Sequence, residues 1–174
     1  MVASSLPEGV VVTSLRPHRD ERGAVTEVWR AEWGTGVEPV QWNVVRSAPG
    51  VLRGVHVHRR HDDYLLIAEG RAVVGLVDLR RDSETTQVRA TLELGGEEAV
   101  TIPHGVAHGF YFPERSVHVY AVSHYFDPAD ELGCRYDDPD LWLDWPGSPQ
   151  ISERDARLGP FAALVEDFND LPVP

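Results

Sequence analysis

Two histidines at alternate positions, His56 and His58, interrupt an otherwise apolar, β-branched stretch running from Gly50 to Gly70. Side chains two apart in a strand point to the same face, so this spacing predicts that both imidazoles look into one cavity. Burying a pair of imidazoles costs free energy unless they find partners, and chemistry is a reason to accept that cost. Histidine titrates near neutral pH, which suits proton transfer, and it is a common metal ligand. A second cluster, Ile102-Pro103-His104-Gly105-Val106-Ala107-His108-Gly109-Phe110, is expected to supply the other end of the site.

The elements that must position these residues read as short strands. Strands are expected at Val10–Val12, Ala24–Trp29, Val40–Val45, on either side of the turn within the 50–70 stretch, and at Arg71–Leu79, Gln87–Leu94, Val100–Pro103, Ala107–Phe112 and Val117–Ser123. Turn residues separate them: Arg19–Gly23, Gly34–Pro39, Ser47–Gly50, Asp82–Thr86 and Gly95–Glu97. Many short strands punctuated by Gly, Pro and Asp argue for an all-β sandwich or barrel. After Asp127 the pattern changes. Asp137-Asp138-Pro139 and Trp145-Pro146-Gly147 are breakers, Ser152 to Asp155 opens a helical turn, and Phe161, Leu164, Val165 and Phe168 have helical spacing. No internal repeat or long linker divides the chain, so 1–174 reads as one domain.

Composition excludes several classes. A net charge of −12 argues against a general affinity for nucleic acid or an anionic membrane, so an anionic substrate needs a local arginine cluster. Cys134 is the only cysteine, which rules out an internal disulfide framework and a thiolate metal cluster. No secretory leader is apparent, and no apolar run approaches the roughly 18 residues of a membrane helix. A cytoplasmic location is expected.

Asp20-x-Arg22-Gly23, Gly50-Val51-Leu52-Arg53-Gly54-Val55-His56, Val77-Asp78-Leu79-Arg80, Ile102-Pro103-x-Gly105-x-Ala107-His108-Gly109-Phe110, Asp138-Pro139-x-Leu141, Asp144-Trp145-Pro146 and Ile151-Ser152-x-x-Asp155 occur in that order. Together they resemble the dTDP-4-dehydrorhamnose 3,5-epimerase family over roughly residues 8 to 160. The resemblance implies a double-stranded β-helix (a cupin jelly roll), a homodimer, and no metal or organic cofactor. It implies a nucleotide-diphosphate sugar substrate, a dTDP-4-keto-6-deoxyhexose, epimerised at C3 and/or C5 through an enolate. His56 is then the base, Asp155 the carboxylate that orients it, Tyr120 the acid, and His108 a neighbour of the ketone. Arg22 and Arg53 match arginines that grip the diphosphate, and Glu27, Asn43, His58 and Phe126 complete the substrate contacts.

The chain departs from that pattern in places. A family lysine near the enolate oxygen, in a Lys-Leu-Val-type strand, aligns with Tyr64, a phenol that donates a hydrogen bond without positive charge. His56-Val57-His58 stands where His-Tyr-Gln is common, Tyr125-Phe126 replaces a Tyr-Tyr pair, and Val45 replaces a serine after Asn43.

Those departures open other readings. His56-x-His58 also resembles the paired histidines of sugar 3,4-ketoisomerases. Gly50-x5-His56-x-His58-x4-Asp63-x6-Gly70, with Pro103-x-Gly105-x2-His108, resembles a metal cupin in which His56, His58, Asp63 and His108 hold an ion. A catalytically silent binding protein on the same fold is a third possibility. Structural roles compete residue by residue. Ser152-x-x-Asp155 is a capping pattern in its own right, and Tyr120 suits any strand. His61, His104, His118 and His124 read as surface or structural, Arg59, Arg60, Arg80 and Arg81 as solvated turn charges, and Trp142 and Trp145 as packing of the tail.

Overall fold

The computed structural model describes residues 5–170. Its strands are β1 (Val11–Ser14), β2 (Pro17–Asp20), β3 (Gly23–Thr26), β4 (Gln41–Ser47), β5 (Val51–Val57), β6 (Asp63–Glu69), β7 (Arg71–Asp78), β8 (Arg89–Gly95), β9 (Glu98–Ile102), β10 (Val106–Phe112), β11 (Ser116–Val122) and β12 (Leu132–Gly133); a helix, α1, spans Phe161–Asp170. One five-stranded sheet has the order β1-β9-β6-β11-β4 and faces a second ordered β12-β5-β10-β7-β8, while β2 and β3 form a separate hairpin. The pairings within each are antiparallel. This is the cupin jelly roll, two sheets each needing cover on its apolar faces.

Period-two alternation explains how that cover is arranged. Along β6, Leu65 and Ile67 point between the sheets into a core with Val74, Leu76, Leu94, Val100, Ile102 and Phe112. Tyr64 and Leu66 point the other way, into a cluster with Leu15, Val37, Ala99 and Ala121 beneath the N-terminal segment. The outer face of the second sheet carries Val55, Val57, Val77 and Ala107, and the C-terminal tail seals it with Leu141, Phe161 and Leu164. The expected helical spacing is realised here, since Val165 and Phe168 also pack on this cluster.

Glycine is required where two strands and the tail crowd together. A Cβ on Gly54 would lie 2.6 Å from Gly109 Cα, and Gly54 has φ +127°. Here the β5–β10 register slips by one residue, between the pairs His108–His56 and Phe110–Arg53. The slip lets both members of each pair serve the cavity wall. On the other side of the sheet, a Cβ on Gly75 would meet the Trp145 indole at 2.6 Å. Trp145 packs there and donates its Nε1–H to the Tyr136 carbonyl. Trp142 does not pack the tail as expected: it is 77% exposed, because its left-handed backbone (φ 57°) ends a short 3-10 turn and turns the ring outward. The strand expected at Ala24–Trp29 stops at Thr26, and β12, two residues long, gave no periodic signal.

Candidate active site

Strands of both sheets line a cavity of about 490 Å³. Its walls hold His56, His58, Asp63, His108, Tyr120, Asp155, Arg53, Asn43 and Phe126, so nine of the residues singled out in the sequence meet in one place. The alternation argument for His56 and His58 holds in outcome, although His58 lies one residue beyond the end of β5.

His56 on β5 sits directly across the ladder from His108 on β10. Its Nε2 lies 2.8 Å from Asp155 Oδ1. A carboxylate can only accept from that atom, so Nε2 carries a proton and Nδ1 is the atom that bears the lone pair in the neutral ring. Burial alone would raise the Asp155 pKa, but the hydrogen bond and charge of His56, together with hydrogen bonds from Ser152 and the Gly54 backbone, outweigh it and hold the carboxyl below its ordinary value. The capping pattern is also real: Ser152 Oγ accepts from the Asp155 backbone N–H at 3.0 Å. The local turn and the contact with His56 therefore coexist, because one uses the backbone and the other the side chain.

His108 is buried and donates Nδ1–H to the Val106 carbonyl at 3.0 Å. Burial, reinforced by His58, pushes its pKa down to about 3, so the ring is neutral with a bare Nε2. Burial pushes Asp63 up to about 7, against the lowering influence of His58. For His58, burial disfavours the charge, but Glu131 and Asp63 overcome it and raise the pKa. Glu131 Oε1 stands 3.1 Å from His58 Nδ1. Despite burial, Glu131 is held down at about 2 by that partner. Tyr120 rises above the ordinary phenol value through burial and the acidic groups Asp63 and Glu131, so it is protonated at neutral pH.

Three expected residues are not brought to the cavity. Tyr64 is fully buried on the opposite face of β6, where its hydroxyl donates to the Val28 carbonyl at 2.6 Å. The alignment through Asp62-Asp63-Tyr64 was one residue out of phase, and the cavity-facing side chain at this end of β6 is Asp63. Arg22 is exposed at the β2–β3 turn and paired with Asp20. Glu27 is exposed beside Arg30 at 3.5 Å. The four-residue metal set is also modified. His58, Asp63 and His108 present ligand atoms within 4.8 Å of one another, whereas His56 is engaged by Asp155.

The sequence reading missed other parts of the wall. His61 and His118 are buried and line the cavity rather than lying at the surface, whereas His104 and His124 are exposed. His118 stands two residues before Tyr120 on β11, so strand alternation had the information to place both on one face. His61 lies in the β5–β6 connection and Glu131 in a loop after β11, where no periodicity operates. Arg59 is not a solvated charge, since its side chain is 6% exposed beside Asp130. Arg60 pairs with Asp127 at 2.5 Å, and Arg80 pairs with Asp78 at 2.8 Å.

Comparison with known proteins bears on this cavity. Residues 5–163 match the family described as dTDP-4-dehydrorhamnose 3,5-epimerase. The dTDP-4-dehydrorhamnose 3,5-epimerase of Pseudomonas aeruginosa is 34% identical over 168 residues, covering 88% of this chain and 91% of its own. The spore coat polysaccharide biosynthesis protein SpsL of Bacillus subtilis is 31% identical over 144 residues, covering 79% and 95%. Among solved structures, NovW, a 4-keto-6-deoxy sugar epimerase from the novobiocin biosynthetic gene cluster of Streptomyces spheroides, superimposes with a TM-score of 0.85 at 28% identity, covering 98% of this chain and 92% of that one. ChmJ, a 3'-monoepimerase from Streptomyces bikiniensis solved with dTDP-quinovose, gives 0.85 at 26% identity, covering 99% and 93%. Among the described residues, no helix is long and apolar enough to cross a membrane.

Proposed function

Because the chain belongs to the dTDP-4-dehydrorhamnose 3,5-epimerase family, we propose that it epimerises a dTDP-4-keto-6-deoxyhexose at C3, C5 or both, with His56 as base and Tyr120 as acid. One observation carries this reading. His56 comes from β5 and Tyr120 from β11, so the two groups line one cavity from different sheets. Inverting a carbon centre requires a proton to leave one face and another to arrive at the opposite face. Two groups on facing walls meet that requirement; two on one wall do not.

The C4 ketone acidifies the neighbouring C–H bonds. The Nδ1 lone pair of His56 takes the proton from carbon, and the imidazolium that forms stays paired with the ionised Asp155. The electron pair left behind becomes the enolate. Tyr120 then returns a proton to the other face, and its raised pKa keeps the hydroxyl loaded for that step. Arg53, anchored by its Nε to Ser47 Oγ at 3.1 Å, is the guanidinium assigned to the diphosphate. Asn43, His58 and Phe126 supply the remaining contacts. Tyr64, Arg22 and Glu27 have no role within this chain's own cavity.

A homodimer belongs to the same reading. β4 is an edge strand whose outward Trp42 and Val44 are 42% and 57% exposed, and a second copy would cover them. Light scattering at micromolar concentration tests this, with a monomer counting against it.

The activity is tested by incubating the protein with dTDP-4-keto-6-deoxyglucose in deuterated water and reading the sugar by proton NMR and mass spectrometry. Deuterium at C3, C5 or both is expected. Movement of the carbonyl to C3 would instead indicate a ketoisomerase. No exchange with this or other 4-keto-6-deoxyhexose nucleotides would indicate a silent binding protein.

A further inference from the structure

We infer that His58, Asp63 and His108 form a binding site for one divalent transition-metal ion deep in the cavity. His58 Nε2 and His108 Nε2 each lie 3.9 Å from the same atom, Asp63 Oδ2. All three ligand atoms fall within 4.8 Å of one another, and all three residues are buried. At 3.9 Å neither contact is a hydrogen bond. Ligand atoms sharing one ion at about 2.1 Å stand roughly 3.0–3.4 Å apart. Closing each Asp63 contact by about 0.5–0.9 Å is within reach of small side-chain rotations.

The second observation is the set of oxygen acceptors behind the ligands, a hydrogen bond at His108 and an ion-pair contact at His58. His108 donates Nδ1–H to the Val106 carbonyl, which leaves a lone pair on Nε2 aimed at Asp63. His58 has Glu131 Oε1 at 3.1 Å from its Nδ1, so its Nε2 also faces Asp63. An outer acceptor on one ring nitrogen with the other turned inward is the arrangement that orients metal-ligating histidines. His61 adds bulk and a further donor: its ring stacks on His58 at 3.8 Å and its Nε2 is 3.8 Å from Asp63 Oδ2.

Donor chemistry fixes the class of ion. Two imidazoles and one carboxylate suit zinc, iron, cobalt, nickel or manganese; magnesium and calcium prefer oxygen ligands. If the epimerase reading above holds, on which this role rests, the ion has a defined position. His108 is the ladder neighbour of His56, so the positive charge sits beside the base, near the developing enolate. A fixed charge there stabilises the negative oxygen as it forms.

The test uses the full chain stripped with chelator and then titrated with zinc by calorimetry and with cobalt by visible absorption. One equivalent of each is expected, with cobalt d–d bands of an imidazole- and carboxylate-bound ion and a raised melting temperature. Asp63→Asn and His108→Ala are each expected to weaken binding on the order of 100-fold or more. His58→Ala gives the same expectation, and circular dichroism of each variant checks folding. His56→Ala should bind zinc like wild type, because His56 is held by Asp155. Stoichiometry well below one, or unchanged affinity in folded Asp63→Asn and His108→Ala, overturns the site. Deuterium exchange is scored separately on loaded and stripped protein. No exchange in either sinks the epimerase reading while the metal titration still stands or falls by itself.

Discussion

Asp155→Asn isolates the charge that Asp155 lends to His56. In the wild-type protein the Nε2–Oδ1 distance is 2.8 Å, and the imidazole becomes positive on taking a proton from the sugar. A hydrogen bond to a charged group is worth about 1.5–3 kcal/mol, against about 1 kcal/mol for a neutral one. The amide therefore forfeits about 1–2 kcal/mol of stabilisation of the imidazolium, or roughly 5–30-fold in rate at about 1.4 kcal/mol per decade. The amide adds a second penalty, because its NH₂ can donate to Nε2 and so move the ring proton onto Nδ1, the atom that must act as base. That tautomer error raises the expected loss to on the order of 10²-fold or more. The local turn survives, since Ser152 Oγ caps the backbone N–H of residue 155 rather than its side chain. Solvent-deuterium exchange at saturating substrate measures the rate, calorimetry with dTDP measures binding, and melting checks the fold. Exchange within twofold of wild type, or a parallel loss of dTDP affinity, would refute the assignment of Asp155 as the residue that positions the base.

Three other perturbations separate site from scaffold. Tyr64→Phe removes the buried hydroxyl contact with Val28; it should lower stability by about 1–2 kcal/mol in thermal melts and leave exchange unchanged, and a loss of exchange at full stability would return Tyr64 to the site. Asp78 accepts from Arg80, Ser83 and Thr85, and although burial opposes ionisation these bonds hold its pKa at about 2. Its stabilisation is thus present above the ordinary value near 4 and lost as pH falls toward 2, and Asp78→Asn should cost about 2–3 kcal/mol at pH 7, with unchanged urea midpoints counting against it. Burial, with help from Arg53, drives His118 down to about 4. Its unfolded value lies near 6.5, so its contribution is complete above pH 6.5 and is lost as pH falls toward 4, by up to about 3 kcal/mol. His118→Phe, replacing a ring already stacked 4.9 Å from Phe112, should flatten that stretch of the stability profile; an unaltered profile would show that His118 does not cause it.

The fold was legible because its signals are local. β-branched runs of period two, glycine-rich turns and the spacing of Phe161, Leu164, Val165 and Phe168 each specify an element without distant contacts. The site was legible where side chains sit on those strands: His56, His108 and Tyr120 face the cavity as the alternation requires. It failed where one residue of phase mattered. Shifting a strand by one position exchanges its faces, and that slip put Tyr64 in the cavity in place of Asp63. Loops gave no phase at all, so Glu131 and His61 came into view only when the chain was folded back on itself. Trp142 and Trp145 look equivalent in sequence. What separates them is the gap above Gly75 and Gly109, which admits one indole.

The assignment of His56 as the base meets its most direct test in the rate at which solvent deuterium enters C3 and C5 of dTDP-4-keto-6-deoxyglucose with purified His56→Ala. Exchange should fall by at least about 10²-fold, the usual contribution of a positioned general base, while the variant melts cooperatively and binds dTDP as wild type does. Wild-type exchange from a folded His56→Ala protein would contradict the account, because it would show that another group removes the proton from the sugar.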